Sequence, residues 1–269
     1  MKVTSTIALF LLLGCTGTDS AVQLTLDHER KGKGPVVVLF DGGAPSGMSA
    51  WDPIWDRLPG GITAIRYSRR GEGNSPSCDR QLTLDDYVDD LEHLLEQLGI
   101  EQPFIYVSHS FGGSVSLAFA AKNHGRLATM LLVDPSNPRD VDIVRQVNPD
   151  GGEAEIARIK ASDYAAGRDK WCFLDTIWDK QPAPGYAEIG DIPITLIAGV
   201  KRVAKPTQTF ETDEARRLWG VYQSEWVAQF PRGRALLTEN SGHFVQDDEP
   251  ELVLAELQRF IQSFGSAKL

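Results

Sequence analysis

The chain has 269 residues, of which 42% are hydrophobic and 24% charged, enough apolar material for a sizeable core in one large domain. Aspartate and glutamate number 37 against 27 lysines and arginines, a formal charge of -10, and no basic run stands above that background, which argues against a nucleic-acid partner. The 25 glycines and 15 prolines are dispersed, so neither a fibrous nor a largely disordered chain is expected.

At the N-terminus, Lys2 precedes the apolar residues 7–13 and then Gly14-Cys15, after which the chain turns polar from Thr16 to Ser20. This is the layout of a cleaved secretory signal, too short to span a bilayer as a mature helix. Its end, Leu12-Leu13-Gly14-Cys15, resembles the bacterial lipoprotein signal, in which the cysteine is lipidated and becomes the new N-terminus. The resemblance implies a signal over residues 1–20, lipidation of Cys15, membrane contact through an N-terminal lipid, and a place in the bacterial cell envelope, lipid-anchored or secreted. Plain secretion and an uncleaved anchor are the alternatives. Cys78 and Cys172 then lie in a compartment that permits a disulfide; whether they pair is open at this point.

Residues 22–26 are expected to add an antiparallel edge strand. Beyond them, residues 35–40 (PVVVLF), 62–67 (ITAIRY), 104–107 (FIYV), 128–133 (ATMLLV), 194–198 (ITLIA) and 235–238 (ALLT) read as strands. Those that are apolar at nearly every position suit a parallel sheet covered on both faces. Leu84, Tyr87, Val88, Leu91, Leu94, Leu95 and Leu98 recur at helical spacing behind a capping box of Thr83 and Asp86, while Asp85, Asp89, Asp90, Glu92 and Glu96 form a solvated face. A last helix is expected over residues 249–264. Strands alternating with helices predict an α/β doubly wound, mostly parallel sheet, in which sites form at the carboxyl ends of the strands.

After the strand at 104–107 comes Ser108-His109-Ser110-Phe111-Gly112-Gly113 and then a helical run. A strand, x-Ser-x-Gly-Gly and a helix make a nucleophile elbow, with Ser110 in register. Here the chain resembles the α/β-hydrolase superfamily over roughly residues 35–264, with Ser108 where the motif has glycine. Asn240-Ser241-Gly242-His243-Phe244 resembles the superfamily's catalytic-histidine loop. His243 is the one histidine at a strand end with a glycine before it, whereas His109 adjoins the nucleophile and is expected to point away. Asp41-Gly42-Gly43-Ala44-Pro45-Ser46-Gly47 resembles the family's oxyanion loop with Asp41 in place of histidine. By that resemblance the amides of Gly43 and Phe111 supply the oxyanion hole. Residues 67–75, YSRRGEGNS, resemble the D-x-R-G-x-G-x-S stretch with Ser68 in place of aspartate, a stretch to which no chemistry is assigned.

The acid is the displaced member. After the strand at 194–198, where most of the family carries it, the chain reads Gly199-Val200-Lys201-Arg202 with no carboxylate until Glu211. Asp134, at the end of the strand at 128–133, is the expected acid; Glu211, Asp213 and a Ser–His dyad are the alternatives. The resemblance thus implies a single α/β-hydrolase domain over residues 21–269, with a helical cap at about 135–191, that hydrolyses a small-molecule carboxylic ester or related acyl bond through Ser110, His243 and Asp134. Neither cofactor nor metal is implied. In the cap, Trp171, Phe173, Trp178 and Tyr186 either line the substrate site or pack the cap. A peptidase-like amide hydrolase and a non-catalytic ligand-binding or regulatory protein on this fold are the competing readings. The latter is motivated by the empty acid position, Asp41 and Ser68.

Overall fold

The computed structural model describes residues 24–266. Its sheet is built from β1 (His28–Lys31), β2 (Val36–Asp41), β3 (Ile62–Tyr67), β4 (Phe104–His109), β5 (Leu127–Val133), β6 (Ile194–Gly199) and β7 (Gly233–Thr238) in the order β1-β3-β2-β4-β5-β6-β7. Only β1 runs antiparallel to its neighbour. Successive strand residues face opposite sides, and both sides are covered. Leu39, Tyr106, Leu132 and Leu196 belong to one apolar cluster, and Val38, Val107, Leu131 and Ile197 to the other. This double burial is why the strands carry apolar residues at almost every position.

The helices are α1 (Asp52–Trp55), α2 (Leu84–Gln97), α3 (Phe111–Lys122), α4 (Asp140–Val147), α5 (Gly152–Gly167), α6 (Leu174–Asp179), α7 (Tyr186–Ile189), α8 (Asp213–Val227), α9 (Val245–Asp248) and α10 (Pro250–Ser266). At the start of α2, Thr83 and Asp86 form the expected capping box. Helices α4 to α7 all lie between β5 and β6. Cys172, in this stretch, is disulfide-bonded to Cys78 before α2, with Cα atoms 6.1 Å apart.

The edge strand departs from expectation. It forms at His28–Lys31, paired with Tyr67–Ala64, and residues 24–26 of the expected strand precede it; residues 22 and 23 lie outside the described residues. Its outer position leaves it mostly exposed, so it is polar, whereas Leu24 and Leu26 are apolar because they pack on the core ahead of the ladder. The signal region and Cys15 lie outside the described residues. Among the described residues no helix is long and apolar enough to cross a membrane.

The strand order has a consequence for the site. From β2 the chain moves outward to β3 and then returns to β4 on the other side, so the loops after β2 and β4 meet at the reversal of winding, where crevices of doubly wound sheets open. Asp41 and Ser108 are register partners there.

Candidate active site

Ser110 sits between β4 and α3 with φ 51° and ψ -122°, the sharp strand-to-helix turn that lifts a side chain clear of the backbone. The glycines that follow are dictated by neighbours. A Cβ on Gly112 would lie 2.7 Å from the carbonyl oxygens of Asp41 and Gly42, and one on Gly113 would lie 2.6 Å from the Pro135 ring. Ser108, at the position the motif gives to glycine, is fully buried and settles its hydroxyl 2.9 Å from Ser116 Oγ.

Three of the expected side chains meet. His243 Nε2 is 2.9 Å from Ser110 Oγ, and His243 Nδ1 is 2.6 Å from Asp134 Oδ2. Asp134 follows β5 with φ 39°, a left-handed turn that aspartate tolerates better than most residues. Its other oxygen, Oδ1, accepts hydrogen bonds from the Gly199 amide at 3.0 Å and Trp219 Nε1 at 2.8 Å. A carboxylate holding two donors on one oxygen presents the other in a fixed direction. Glu211 instead accepts from Thr207 Oγ1 at 2.9 Å, and Asp213 faces Arg202 at 3.6 Å; neither is bonded to His243.

The histidine loop is shaped from below. Glu249 accepts from Ser241 Oγ at 2.5 Å, from Asn240 Nδ2 at 3.2 Å and from the Thr238 hydroxyl. Because Glu249 closes this loop, the last helix starts at Pro250, after the short α9, and not at 249. His109, expected to point away, is buried against His243, with Nε2–H donated to the His243 carbonyl at 2.9 Å and its ring centroid 4.7 Å from that of His243. Burial first, and then the neighbouring His243 and Arg69 charges, push the His109 pKa down to about 3, against the pull of its bond to the carbonyl.

Gly43 lies against His109 and Ser110. A Cβ there would come within 2.7 Å of His109 Nδ1 and 3.1 Å of Ser110 Cβ, so the backbone after β2 approaches the serine as closely as glycine permits. The amide of Phe111, first in α3, has no intrahelical acceptor.

Next to the start of α3, a cleft of about 590 Å³ opens toward the helices inserted after β5; Phe111, Ser114, Ser136, Asn137, Tyr164 and Trp178 line it, whereas Ser110, His243 and Asp134 do not. Of the aromatics singled out in the cap, only Trp178 lines it; Trp171 and Phe173 stack on each other within the cluster around Phe111, and Tyr186 packs on Phe230. No group of three or more His, Cys, Asp or Glu side chains among the described residues is disposed to hold a metal ion.

A family model described as the alpha/beta hydrolase family matches residues 9–256. The chain belongs to that family. This alpha/beta hydrolase is 23% identical over 261 residues to 2-(acetamidomethylene)succinate hydrolase of Mesorhizobium japonicum, covering 90% of this chain and 93% of the relative. Among solved structures it resembles an esterase of Thermogutta terrifontis, with TM-score 0.61 and 18% identity over 91% of this chain and 96% of that one. It also resembles the enol-lactonase of Burkholderia xenovorans LB400, with TM-score 0.62 and 16% identity over 88% and 96%. At these identities the two structures speak to the fold alone.

Trp219, Gly199 and Glu249 were not singled out from the sequence. Gly199 and Trp219 reach Asp134 from elements whose neighbours depend on the strand order; Glu249 acts within its own loop, and none carries a local motif.

Proposed function

We propose that this alpha/beta hydrolase cleaves a carboxylic ester or related acyl bond through Ser110 and an acyl-enzyme intermediate. The observation that carries the reading is the unbroken run from Ser110 Oγ through His243, at 2.9 Å, to Asp134, at 2.6 Å. The carboxylate of Asp134 accepts a hydrogen bond from Nδ1–H and leaves the proton there, so Nε2 carries the lone pair and takes the Ser110 proton as Oγ attacks the acyl carbon. Gly43 and Phe111 amides receive the charge that develops on the carbonyl oxygen. Protonated His243 then gives its proton to the leaving group, and water, activated by the same imidazole, completes hydrolysis.

Asp134 supplies an acid where the usual strand end has none, which favours turnover over a purely binding role. The Cys78–Cys172 disulfide supports a location outside the reducing cytoplasm, in keeping with a lipid-anchored or secreted envelope protein.

A fluorophosphonate probe should label the wild-type protein and not Ser110→Ala, and p-nitrophenyl esters of rising chain length, set beside aminoacyl anilides, rank its substrates. Labelling that persists in Ser110→Ala, or that is lost only in Ser108→Ala, would overturn the assignment. Anilide turnover exceeding that of the esters would move it to the peptidase-like class.

A further inference from the structure

The stretch after β3 that resembles a structural motif lies directly beneath the oxyanion loop. Arg69 is 2% exposed and touches both elements expected to carry the oxyanion amides. Its Nη1 donates to Asp41 Oδ1 and, at 2.8 Å, to the Gly42 carbonyl. Nη2 donates to Glu72 Oε1 at 2.8 Å, and the backbone amide of Arg69 donates to Glu72 Oε2 at 3.2 Å. The guanidinium carbon lies 5.2 Å from the centroid of the Phe111 ring. Tyr67 and Tyr106 hydroxyls complete the enclosure by donating to Asp41 Oδ2 at 2.9 and 3.1 Å.

From this geometry we propose that Arg69 is a positioning residue for the oxyanion hole, clamping the Gly42 carbonyl on one side and the Phe111 side chain on the other. The inference rests on the serine-hydrolase reading above. Gly42 and Gly43 share a peptide unit: the Gly42 carbonyl that Arg69 holds and the Gly43 N–H expected to face the oxyanion are its two ends. Fixing the oxygen therefore fixes the direction of the N–H. Phe111 carries the other amide, and its ring is held between Arg69, Tyr87 at 5.5 Å and Phe173 at 5.8 Å.

The arrangement also accounts for Asp41, a departure from the family pattern. Its buried carboxylate is opposed by the Arg69 charge, and β2 and β3 are register neighbours at Asp41 and Tyr67, which brings Arg69 within reach. Burial raises the pKa of Asp41 and Glu72 against the opposing charge of Arg69, while those carboxylates outweigh the burial of Arg69 and keep it charged. An arginine fork can serve Asp41, Gly42 and Glu72 at once; a lysine cannot.

Arg69→Lys is expected to lower kcat for a p-nitrophenyl ester by on the order of 10²-fold, the scale of a 1 Å misplacement, with KM changed by less than about threefold because the loss falls on the transition state. An alkyl trifluoromethyl ketone reports the oxyanion site directly: Ser110 Oγ adds to the ketone carbon, its proton passes to His243, and the carbonyl oxygen becomes the oxyanion. Its affinity should fall in parallel with kcat, while the affinity of the unfluorinated ketone stays within about threefold. Because Arg69→Lys leaves buried carboxylates imperfectly paired and risks misfolding, Asp41→Asn/Arg69→Met/Glu72→Gln removes the whole charge cluster with little change of volume. It should melt as a folded protein and show the same loss. Wild-type kcat and ketone affinity in either folded variant, with Ser110→Ala inactive, would overturn the clamp and leave the serine mechanism standing. Activity retained in Ser110→Ala would overturn both.

Discussion

Asp134→Asn removes the carboxylate's charge while keeping its shape, and the neighbours of Asp134 decide what the new amide must do. Oδ1 accepts N–H groups from Gly199 at 3.0 Å and Trp219 at 2.8 Å, while Oδ2 faces His243 Nδ1 at 2.6 Å. An asparagine satisfies both donors only with its oxygen in the Oδ1 place, which turns its NH₂ toward His243. Nδ1 must then accept, so the imidazole carries its proton on Nε2, the nitrogen facing Ser110, and cannot take the serine proton. The reversed amide restores the tautomer but sets NH₂ against two donors in a site 1% exposed. Each unpaired donor costs about 1–3 kcal/mol.

That penalty brackets the outcome. Two unpaired donors cost at least about 2 kcal/mol, which at 1.36 kcal/mol per decade is a loss of about 30-fold, and a full tautomer exchange in an unrelated serine-protease triad reaches about 10⁴-fold. Steady-state hydrolysis of a p-nitrophenyl ester should therefore show kcat reduced between these limits, KM changed little, and a melting transition near that of the wild type. Near-full kcat in a folded Asp134→Asn protein would refute the argument. Loss on Glu211→Gln or Asp213→Asn would return the acid to the usual strand end.

Three further outcomes follow from other parts of the molecule. His109, held neutral with its pKa near 3 against the ordinary value of 6.5, is protonated earlier in the unfolded chain, so its contribution to stability is complete above about pH 6.5 and declines as pH falls toward 3. His109→Gln can retain an N–H toward the His243 carbonyl without that proton, and its acid-unfolding midpoint, followed by circular dichroism, should lie below the wild-type value; an unchanged midpoint contradicts this. Replacing Cys78 and Cys172 by alanine frees a cross-link spanning 94 positions, for which chain entropy predicts about 4–5 kcal/mol and typical disulfides deliver about 2–4, so calorimetry should show a markedly lower melting temperature. Cys15→Ser should move the protein from the membrane to the soluble fraction, and unchanged partitioning would count against lipidation.

The readable parts of the site are those where a motif is local. Ser110 and His243 each stand on a strand end with their glycines within three residues, so sequence spacing alone points to them. Asp134 is weaker, because Asp-Pro after a strand also reads as a turn; what separates it from Glu211 is the placement of β5 and β6 side by side, which brings the Gly199 amide onto its carboxylate. Trp219 lies beyond such reading altogether. Its indole reaches Asp134 across 85 positions, and nothing in the spacing of α8 distinguishes it from a core tryptophan. The cap aromatics were undecidable for a related reason: helical periodicity says which residues turn inward, not whether the inside is a packed cluster, as for Trp171 and Phe173, or a cleft wall, as for Trp178.

Departures from a motif invite the opposite error, of reading each as a defect. Taken alone, Asp41 in a glycine loop weakens the resemblance and suggests a site that has lost its function. With Arg69, which follows the end of the neighbouring strand β3, it forms one buried pair, in which the desolvation of Asp41 is opposed by the charge of Arg69 and the hydroxyls of Tyr67 and Tyr106. Ser68 then takes up a smaller task, accepting the Met48 amide at 3.2 Å in space that Gly47 and Gly73 leave open for it. Removing only the cation leaves the Asp41 and Glu72 carboxylates buried without a counter-charge. Arg69→Met alone should consequently destabilise the protein more than the neutralised triple variant does, and a comparison of their melting temperatures tests whether the cluster acts as one feature.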